Sequence, residues 1–167
     1  IGVGFNENIA WGATVNKPDL VDVYVLDIDP EDPLRYRMDG KWHDLEATEL
    51  EINVKLWGFL PWTATELGLR SAPGPVLQTD HGTYAMRYAG MGKMRQVEQW
   101  LAMNKAQNLE QWRDGLRIHS FASFNFVYAD RDSNIMFVHN SLTPVRVAGY
   151  DWSQYLPGDD SSLIWQD

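Results

Sequence analysis

The chain has 167 residues, of which 44% are hydrophobic and 22% charged, and its formal net charge is −9 at pH 7. This length and composition fit one ordinary globular domain and argue against a largely disordered chain. The acidic balance argues against a nucleic-acid partner, because an acidic surface repels the phosphate backbone. The absence of cysteine excludes disulfides, thiolate metal sites and a cysteine nucleophile.

The sequence also gives no indication of a membrane partner. No apolar run is long enough to span a bilayer, and no cluster of Lys and Arg marks an anionic lipid surface. The chain starts at Ile1 without a Met or a signal-like segment, and this start reads as part of a strand. We therefore expect residues 1–167 to be a single segment of a longer polypeptide, truncated at both ends.

The first third of the chain has the pattern of β-structure. Extended runs are predicted at residues 1–5, 9–15, 21–28 and 49–56. The last of these alternates apolar and polar side chains, which predicts a half-buried strand. Between the last two runs, Asp39-Gly40 predicts a two-residue hairpin turn joining Tyr36–Met38 to Lys41–His43.

Residues 57–92 contain three prolines and several glycines, which predict loops with a short strand or two. A helix is predicted over Gln96–Met103, with Val97, Trp100 and Leu101 on its apolar face. A second helix is predicted to start at Asn108 as N-cap, with Gln111 completing a capping-box-like arrangement.

The last part of the chain predicts a hairpin and then an irregular tail. The hairpin strands are Phe124–Ala129 and Ile135–His139, and the tail covers residues 144–167. Strands therefore come first, then a helix pair, then a hairpin. This order predicts an α+β fold rather than alternating βαβ units.

Common functional motifs are incomplete in this sequence. Gly2-x-Gly4 lacks the third glycine of a dinucleotide-binding fingerprint. The turn Asp130-x-Asp132-x-Asn134 imitates a calcium loop, but Ile135 and Ser141 stand where an EF-hand needs Gly and Glu. The four histidines show no short metal-ligand spacing.

Three stretches in register carry a family resemblance. Residues 4–14 read Gly-Phe-Asn-Glu-Asn-Ile-Ala-Trp-Gly-Ala-Thr, and Asp19-Leu20-Val21-Asp22-Val23-Tyr24 follows them. Residues 36–42 form a hairpin with Gly-Lys-Trp, and residues 125–135 read Asn-Phe-Val-Tyr-Ala-Asp-Arg-Asp-Ser-Asn-Ile. Together they resemble the penicillin acylase family. Pro73 and Ser133 depart from its usual His and Gly.

The resemblance implies a partial N-terminal-nucleophile hydrolase fold, in which strands, a helix pair and a hairpin form part of an αββα sandwich. It also implies hydrolysis of the amide bond of an N-acylated small molecule, of the penicillin or acyl-homoserine lactone type. The nucleophilic Ser is expected upstream of Ile1, with its own α-amine as general base, and an oxyanion-hole Asn beyond Asp167. The isolated chain is therefore predicted to be inactive.

The same resemblance implies the partners and the location. The partners are the remainder of the acylase precursor, including its smaller α chain, and a small N-acyl substrate. No cofactor is expected for the chemistry, and the location is periplasmic or secreted. Two alternatives remain open, namely a non-catalytic acyl- or carbohydrate-binding module that uses its many aromatic residues, and a structural relative that has lost the nucleophile.

The resemblance assigns a first set of site residues. Val15 falls at the position whose backbone N–H donates to the oxyanion, although an ordinary strand residue is the alternative. Val3, Ala13, Trp100 and Phe124 fall at acyl-pocket positions. Core packing is the alternative for Trp100, and the small Val3 and Ala13 favour a long or flexible acyl chain.

A second set matches a structural calcium site of the full-length protein. Asp19 and Asp22 would give carboxylate oxygens, while Val21 and Trp152 would give carbonyl oxygens. The remaining ligands would lie outside residues 1–167, so an intact site is not expected in this segment. The alternative is that both acids cap backbone N–H groups at a strand end.

Overall fold

The computed structural model describes residues 2–165, and these form two compact units. The first unit contains the chain up to Leu20 together with Tyr88–Val145. The second contains Val21–Arg87 and residues 146–165. Within residues 2–165, neither helix has the length and apolar character that crossing a bilayer requires.

Thirteen strands, two α-helices and one 3₁₀ turn are present in the described residues. In chain order they are β1 Gly4–Phe5, β2 Ile9–Thr14, β3 Val21–Leu26, β4 Ile28–Asp29, β5 Asp32–Met38, β6 Lys41–Asp44, β7 Glu46–Leu56, β8 Leu60–Arg70, β9 Pro75–Thr79, β10 Gly82–Tyr88, α1 Gln96–Lys105, α2 Leu109–Leu116, β11 Ser123–Asp130, β12 Ile135–Ser141, β13 Leu156–Pro157 and the 3₁₀ turn Ser161–Leu163. The predicted α+β content is confirmed. Ile1, in the first predicted strand, lies outside the described residues.

The first unit is an antiparallel sheet with strand order β1-β2-β11-β12 and a helix pair on one face. Alternate side chains of β2 and β11 turn towards the helices and form the core. The buried core residues are Ile9, Trp11, Met103, Ala106, Trp112, Leu116, Phe121, Phe126 and Tyr128. The predicted hairpin of β11 and β12 is confirmed, with Ser123 opposite Ser141 at its open end.

The helix starts follow the sequence, but the buried face of α1 does not. Asn108 caps α2, because its side chain accepts a hydrogen bond from the Gln111 amide, as predicted. In α1, the predicted face of Val97 and Leu101 is exposed, whereas Gln99 and Met103 are fully buried. The reason is a polar contact that a hydrophobic pattern cannot show.

That contact is made by the Gln99 side chain. Its Oε1 accepts from the Ser120 and Phe121 amides at 2.8 and 3.1 Å, and its Nε2 donates to the Leu116 carbonyl at 3.4 Å. A buried carboxamide with these partners satisfies backbone groups between α2 and β11. Gln99 therefore faces inward and turns Val97 outward.

The second unit contains a six-stranded sheet with order β13-β3-β10-β9-β8-β7 and a three-stranded sheet with order β4-β5-β6. The predicted turn at Asp39-Gly40 is confirmed, and both residues have positive φ, as a two-residue hairpin requires. The buried core comprises Tyr24, Leu26, Tyr36, Met38, Leu45, Ala85, Leu156 and Leu163.

Two predictions for this unit are wrong. Residues 57–92, predicted as loops with a short strand or two, contain the three strands β8, β9 and β10, and β8 pairs with β7 through eleven opposed residue pairs. Pro61 is tolerated because β9 pairs with β8 only at Leu69 and Arg70, which leaves the other side of β8 unpaired at Pro61. The predicted half-buried strand is β7, but all eleven of its residues are exposed.

The tail is more ordered than predicted. Residues 156–157 form β13, which pairs in parallel with β3, and Leu156, Leu163 and Trp165 are buried. Gly158 follows at a position where a Cβ would lie 2.4 Å from the Val25 carbonyl oxygen. The glycine therefore permits the close approach of the tail to β3.

Candidate functional site

Val15 follows directly after the end of β2. The last paired residue of β2 is Thr14, which lies opposite Asn125 of β11. The Val15 side chain is 76% exposed, and its backbone N–H has no hydrogen-bond acceptor among residues 2–165. A backbone donor outside the sheet ladder is available to an external acceptor, which is the geometry an oxyanion donor needs.

Three polar side chains surround this strand end. Asn125 Nδ2 donates to the Val15 carbonyl at 3.4 Å, and Asn125 Oδ1 lies 2.9 Å from His139 Nδ1. Because the Asn125 oxygen can only accept, this arrangement requires a proton on His139 Nδ1. Asn125 and His139 are also opposed residues of β11 and β12, so the hairpin register fixes their contact.

Asn16 anchors the other side of Val15. Its Nδ2 donates to the Asn140 carbonyl at 2.9 Å and lies 3.4 Å from His139 Nδ1. The side chain is buried, and its Oδ1 has no hydrogen-bond partner. The two asparagine side chains therefore anchor the Val15 carbonyl and the residue that follows it.

The predicted acyl-pocket residues are divided between two places. Trp100 and Phe124 lie together, with ring centroids 6.2 Å apart, and Ala13 packs against the same buried cluster. Phe121 and Phe126 complete this group, with centroids 4.9 and 5.8 Å from that of Trp100. Trp100 and Phe124 are partly buried and pack against the buried cluster between the sheet and the helices, and their pocket role stays a prediction.

Val3 lies elsewhere in the first unit. It is exposed and lines a cleft of about 320 Å³ whose other walls are β2 and β11. The cleft residues are Val3, Ala10, Trp11, Gly12, Val127, Tyr128 and Ala129. Trp100, Phe124 and Ala13 are not among the residues that line this cleft.

The face of this sheet that points away from the helices is apolar and exposed. Val127 and Phe137 are opposed residues of β11 and β12 on this face, and Ile135 follows on the same face. Gly12 also lies on this face, where a Cβ would approach the Val127 side chain to 3.0 Å. One face thus carries helices, and no described residue of this unit covers the other.

Asp22 is the best-defined of the predicted calcium ligands. Its buried carboxylate accepts through Oδ2 from Arg146 Nε at 2.9 Å and from Trp165 Nε1 at 2.6 Å. Its Oδ1 is buried without a hydrogen-bond partner. Burial, followed by the Asp22 charge, raises the pKa of Tyr24 to about 12. An unpartnered carboxylate oxygen is the type of donor that Ca²⁺ prefers.

The structure does not bring the other predicted calcium ligands together into one site. Val21 starts β3, and the Trp152 ring lies 5.5 Å from the Arg146 guanidinium carbon. Asp19 belongs to the first unit and the other three residues to the second. Within residues 2–165, no three acidic or histidine side chains are close enough to hold a metal ion. The residues fit a cation at Asp22 that takes further ligands from outside this set.

A family model described as penicillin amidase matches residues 1–167. The chain belongs to the penicillin amidase family. It is 32% identical over 159 residues to penicillin G acylase of Escherichia coli, a match covering 93% of this chain and 18% of that protein. It is 28% identical over 152 residues to acyl-homoserine lactone acylase PvdQ of Pseudomonas fluorescens strain Pf0-1, covering 86% of this chain and 20% of that protein.

The fold agrees with a solved member of the penicillin amidase family. Thermostable penicillin G acylase from Alcaligenes faecalis superposes with a TM-score of 0.80 at 29% identity, covering 98% of this chain and 29% of that chain. The predicted partial N-terminal-nucleophile hydrolase fold is confirmed. The chain spans about a fifth of the length of the curated relatives that it matches.

The sequence analysis missed the supporting residues of the Val15 site. Asn125 lies in residues 125–135, one of the stretches that carry the family resemblance, and no sequence motif points to a role for His139. The usable signal was the register of the predicted hairpin, because it places Asn125 opposite His139. Asn16 gave no signal beyond its position next to Val15.

Proposed function

We propose that this chain belongs to an amide hydrolase of the N-terminal-nucleophile type and supplies one backbone donor of its oxyanion hole. The supporting observation is the Val15 N–H, which lies beyond the sheet ladder without an acceptor in residues 2–165. The nucleophilic Ser and a second oxyanion donor, an Asn side chain, belong to other parts of the polypeptide.

The chemistry follows from these roles. The Ser Oγ attacks the amide carbonyl carbon, and its proton passes to the Ser α-amine, which titrates near neutral pH. The Val15 N–H stabilises the negative charge that develops on the carbonyl oxygen, a contribution of about 3 kcal/mol. Proton return to the leaving amine breaks the C–N bond, and water then hydrolyses the acyl-enzyme.

The substrate in this proposal is an N-acylated small molecule. The names of the relatives include a penicillin acylase and an acyl-homoserine lactone acylase, and the present residues favour neither. Val3 supports a long or flexible acyl chain, because it lies in a cleft with Ala10 and Gly12, which are also small. Replacing Val3 with Phe in the full-length enzyme should lower activity on long-chain amides relative to short-chain amides.

Calcium and location complete the proposal. A structural Ca²⁺ would be held by Asp22 and, in the complete protein, by Asp19, the carbonyls of Val21 and Trp152, and ligands from other parts of the polypeptide. It would stabilise the fold and take no part in the chemistry. The protein would act in the periplasm or outside the cell, together with the smaller chain of its precursor.

The test compares two substitutions of Val15, one that removes its backbone N–H and one that keeps it. In the full-length enzyme, Val15→Pro removes the N–H and should lower kcat by about 10²- to 10³-fold, whereas Val15→Ala retains the N–H and should leave kcat nearly unchanged. Thermal unfolding of both variants checks that they fold. Mass spectrometry should also find an amino-terminal Ser created by autocleavage. Equal kcat values for the two variants would contradict the proposal that the Val15 N–H binds the oxyanion.

A further inference from the structure

A buried carboxylate of the second unit is bound by two residues of the tail. Arg146 Nε and Trp165 Nε1 both donate to Asp22 Oδ2, at 2.9 and 2.6 Å. The Asp22 side chain is 1% exposed and that of Arg146 is 15% exposed. The protein therefore supplies its own counter-ion to Asp22.

The two oxygens of this carboxylate are used unequally. Oδ2 accepts both hydrogen bonds, whereas Oδ1 is buried and has no hydrogen-bond partner among residues 2–165. Burial of a carboxylate oxygen without a partner is costly. The ion pair with Arg146 therefore balances the charge of Asp22 but leaves one oxygen available to a second cation.

A second guanidinium lies close to this pair. The Arg87 guanidinium carbon is 4.8 Å from the centroid of the Trp165 ring, whose N–H donates to Asp22. Arg87 Nε also donates to the Trp165 carbonyl at 2.6 Å, which holds the guanidinium there. Calcium sites gain affinity from the number of carboxylates they contain. Each guanidinium near Asp22 opposes that gain, because like charges repel more strongly in a buried site than in water.

Arg146 is held next to a second predicted calcium ligand. Its guanidinium carbon lies 5.5 Å from the centroid of the Trp152 ring. Trp152 Nε1 donates to the Val147 carbonyl at 3.0 Å, and this bond closes residues 147–152 into a loop that keeps the ring beside Arg146. Arg146 therefore contacts both Asp22 and Trp152, so its charge lies at the predicted calcium site itself.

We propose that Arg146 sets the calcium affinity of this site, an inference that rests on the calcium site of the proposed function. With calcium bound, Arg146 and the metal share the Asp22 carboxylate, and their repulsion weakens calcium binding. With calcium absent, Arg146 alone keeps the buried carboxylate paired, which avoids the large loss of stability that an unpaired buried charge causes. Arg146 thus makes the site weaker for the metal and the fold less dependent on it.

The experiment measures calcium binding to the full-length protein by isothermal titration calorimetry. Arg146→Gln keeps an N–H donor but removes the charge, so its Kd for Ca²⁺ should be at least about tenfold lower than that of the wild type. Arg146→Lys keeps the charge, and its Kd should stay within about threefold of the wild-type value. The matched control Arg35→Gln removes an arginine that pairs with Asp29 at 3.2 Å in the same unit, and it should bind calcium as the wild type does.

Thermal unfolding gives a readout that does not depend on affinity. A chelator should lower the thermal midpoint of Arg146→Gln more than that of the wild type, because Asp22 then has no cation. An Arg146→Gln variant with an equal or higher Kd would overturn the proposal. So would an Arg146→Lys variant that binds as tightly as Arg146→Gln, or an Arg146→Gln variant that fails to fold even in excess calcium.

The outcomes separate this inference from the calcium site itself. Calcium binding with equal Kd in the wild type and Arg146→Gln would overturn the inference and leave the site in place. Binding by Arg146→Gln alone would support the inference and contradict an occupied site in the wild type. Asp22→Asn that binds calcium as the wild type does, or no binding by any variant, would overturn both.

Discussion

Asn125 holds the Val15 carbonyl oxygen at 3.4 Å with its amide nitrogen while its oxygen faces His139 Nδ1 at 2.9 Å. This contact ties the residue after β2 to both strands of the β11–β12 hairpin. Because the carbonyl and N–H of Val15 flank the same Cα atom, fixing the carbonyl restricts where the N–H can point. Asn125 and His139 are therefore positioning residues for the proposed oxyanion donor.

Removing this contact should affect the transition state more than the substrate complex. Asn125→Ala in the full-length enzyme should lower kcat by about 2- to 10-fold with little change in KM, since one net hydrogen bond is lost. The control Asn53→Ala, in the exposed β7 strand, should leave both parameters unchanged. A rise in KM without a change in kcat would contradict a positioning role.

The calcium expectation predicts a stability change on chelation. Treating the full-length wild type with a chelator should lower its thermal midpoint, and Asp22→Asn should abolish that difference because it removes the carboxylate. Asp19→Asn should reduce it. Asp32→Asn, an exchange outside the predicted ligand set, should respond to the chelator as the wild type does. An unchanged thermal midpoint of the wild type after chelation would contradict the proposed calcium site.

Gln99 should contribute strongly to the stability of the first unit. Gln99→Leu leaves the Ser120 and Phe121 amides without their side-chain acceptor and should lower the free energy of unfolding by about 2–5 kcal/mol. Gln96→Leu removes a partly exposed carboxamide in the same helix and should cost about 1 kcal/mol. Urea unfolding of both variants checks this, and equal losses would show that burial of Gln99 is unimportant.

The Asp130 carboxyl should make the free energy of unfolding depend on pH in the acidic range. Burial acts to raise the pKa of this carboxyl, but hydrogen bonds from Asn134, Tyr128 and Asp132 outweigh it and hold the pKa below its ordinary value. A lowered pKa in the folded state stabilises the fold above about pH 4, and that stabilisation disappears as pH falls through the lower value. The stability difference between wild type and Asp130→Asn should therefore shrink below pH 4. A constant difference would contradict this assignment.

Local chemistry predicted the elements whose signals lie within a few residues. Asp39-Gly40 specified a hairpin turn, and Asn108 with Gln111 specified the start of α2, because both depend on neighbouring backbone groups. The long β7–β8 hairpin was missed at β8, since Pro61 and Gly58 are ordinarily signs of a loop. Only the unpaired side of β8 makes Pro61 acceptable, and sequence does not show which side of a strand is free.

For the candidate site, too, the sequence indicated the residue within a local motif but not its distant partners. The motif around Trp11 located Val15, and the structure places that residue just beyond the β2 ladder. The partners of Val15 and Asn16 come from β11 and β12, more than 100 residues away along the chain, so these contacts depend on strand pairing. Trp100 was expected near the substrate; it packs against Phe121 and Phe126 and is partly buried, and its pocket role stays a prediction.

The central claim is that the Val15 N–H binds the oxyanion. The most direct test is a crystal structure of the full-length enzyme with a tetrahedral boronate bound to its nucleophilic Ser. We predict one boronate oxygen about 2.7–3.1 Å from the Val15 nitrogen, within normal hydrogen-bond range. A boronate whose oxygens all lie beyond hydrogen-bond distance of that nitrogen, held instead by other amides, would contradict the claim.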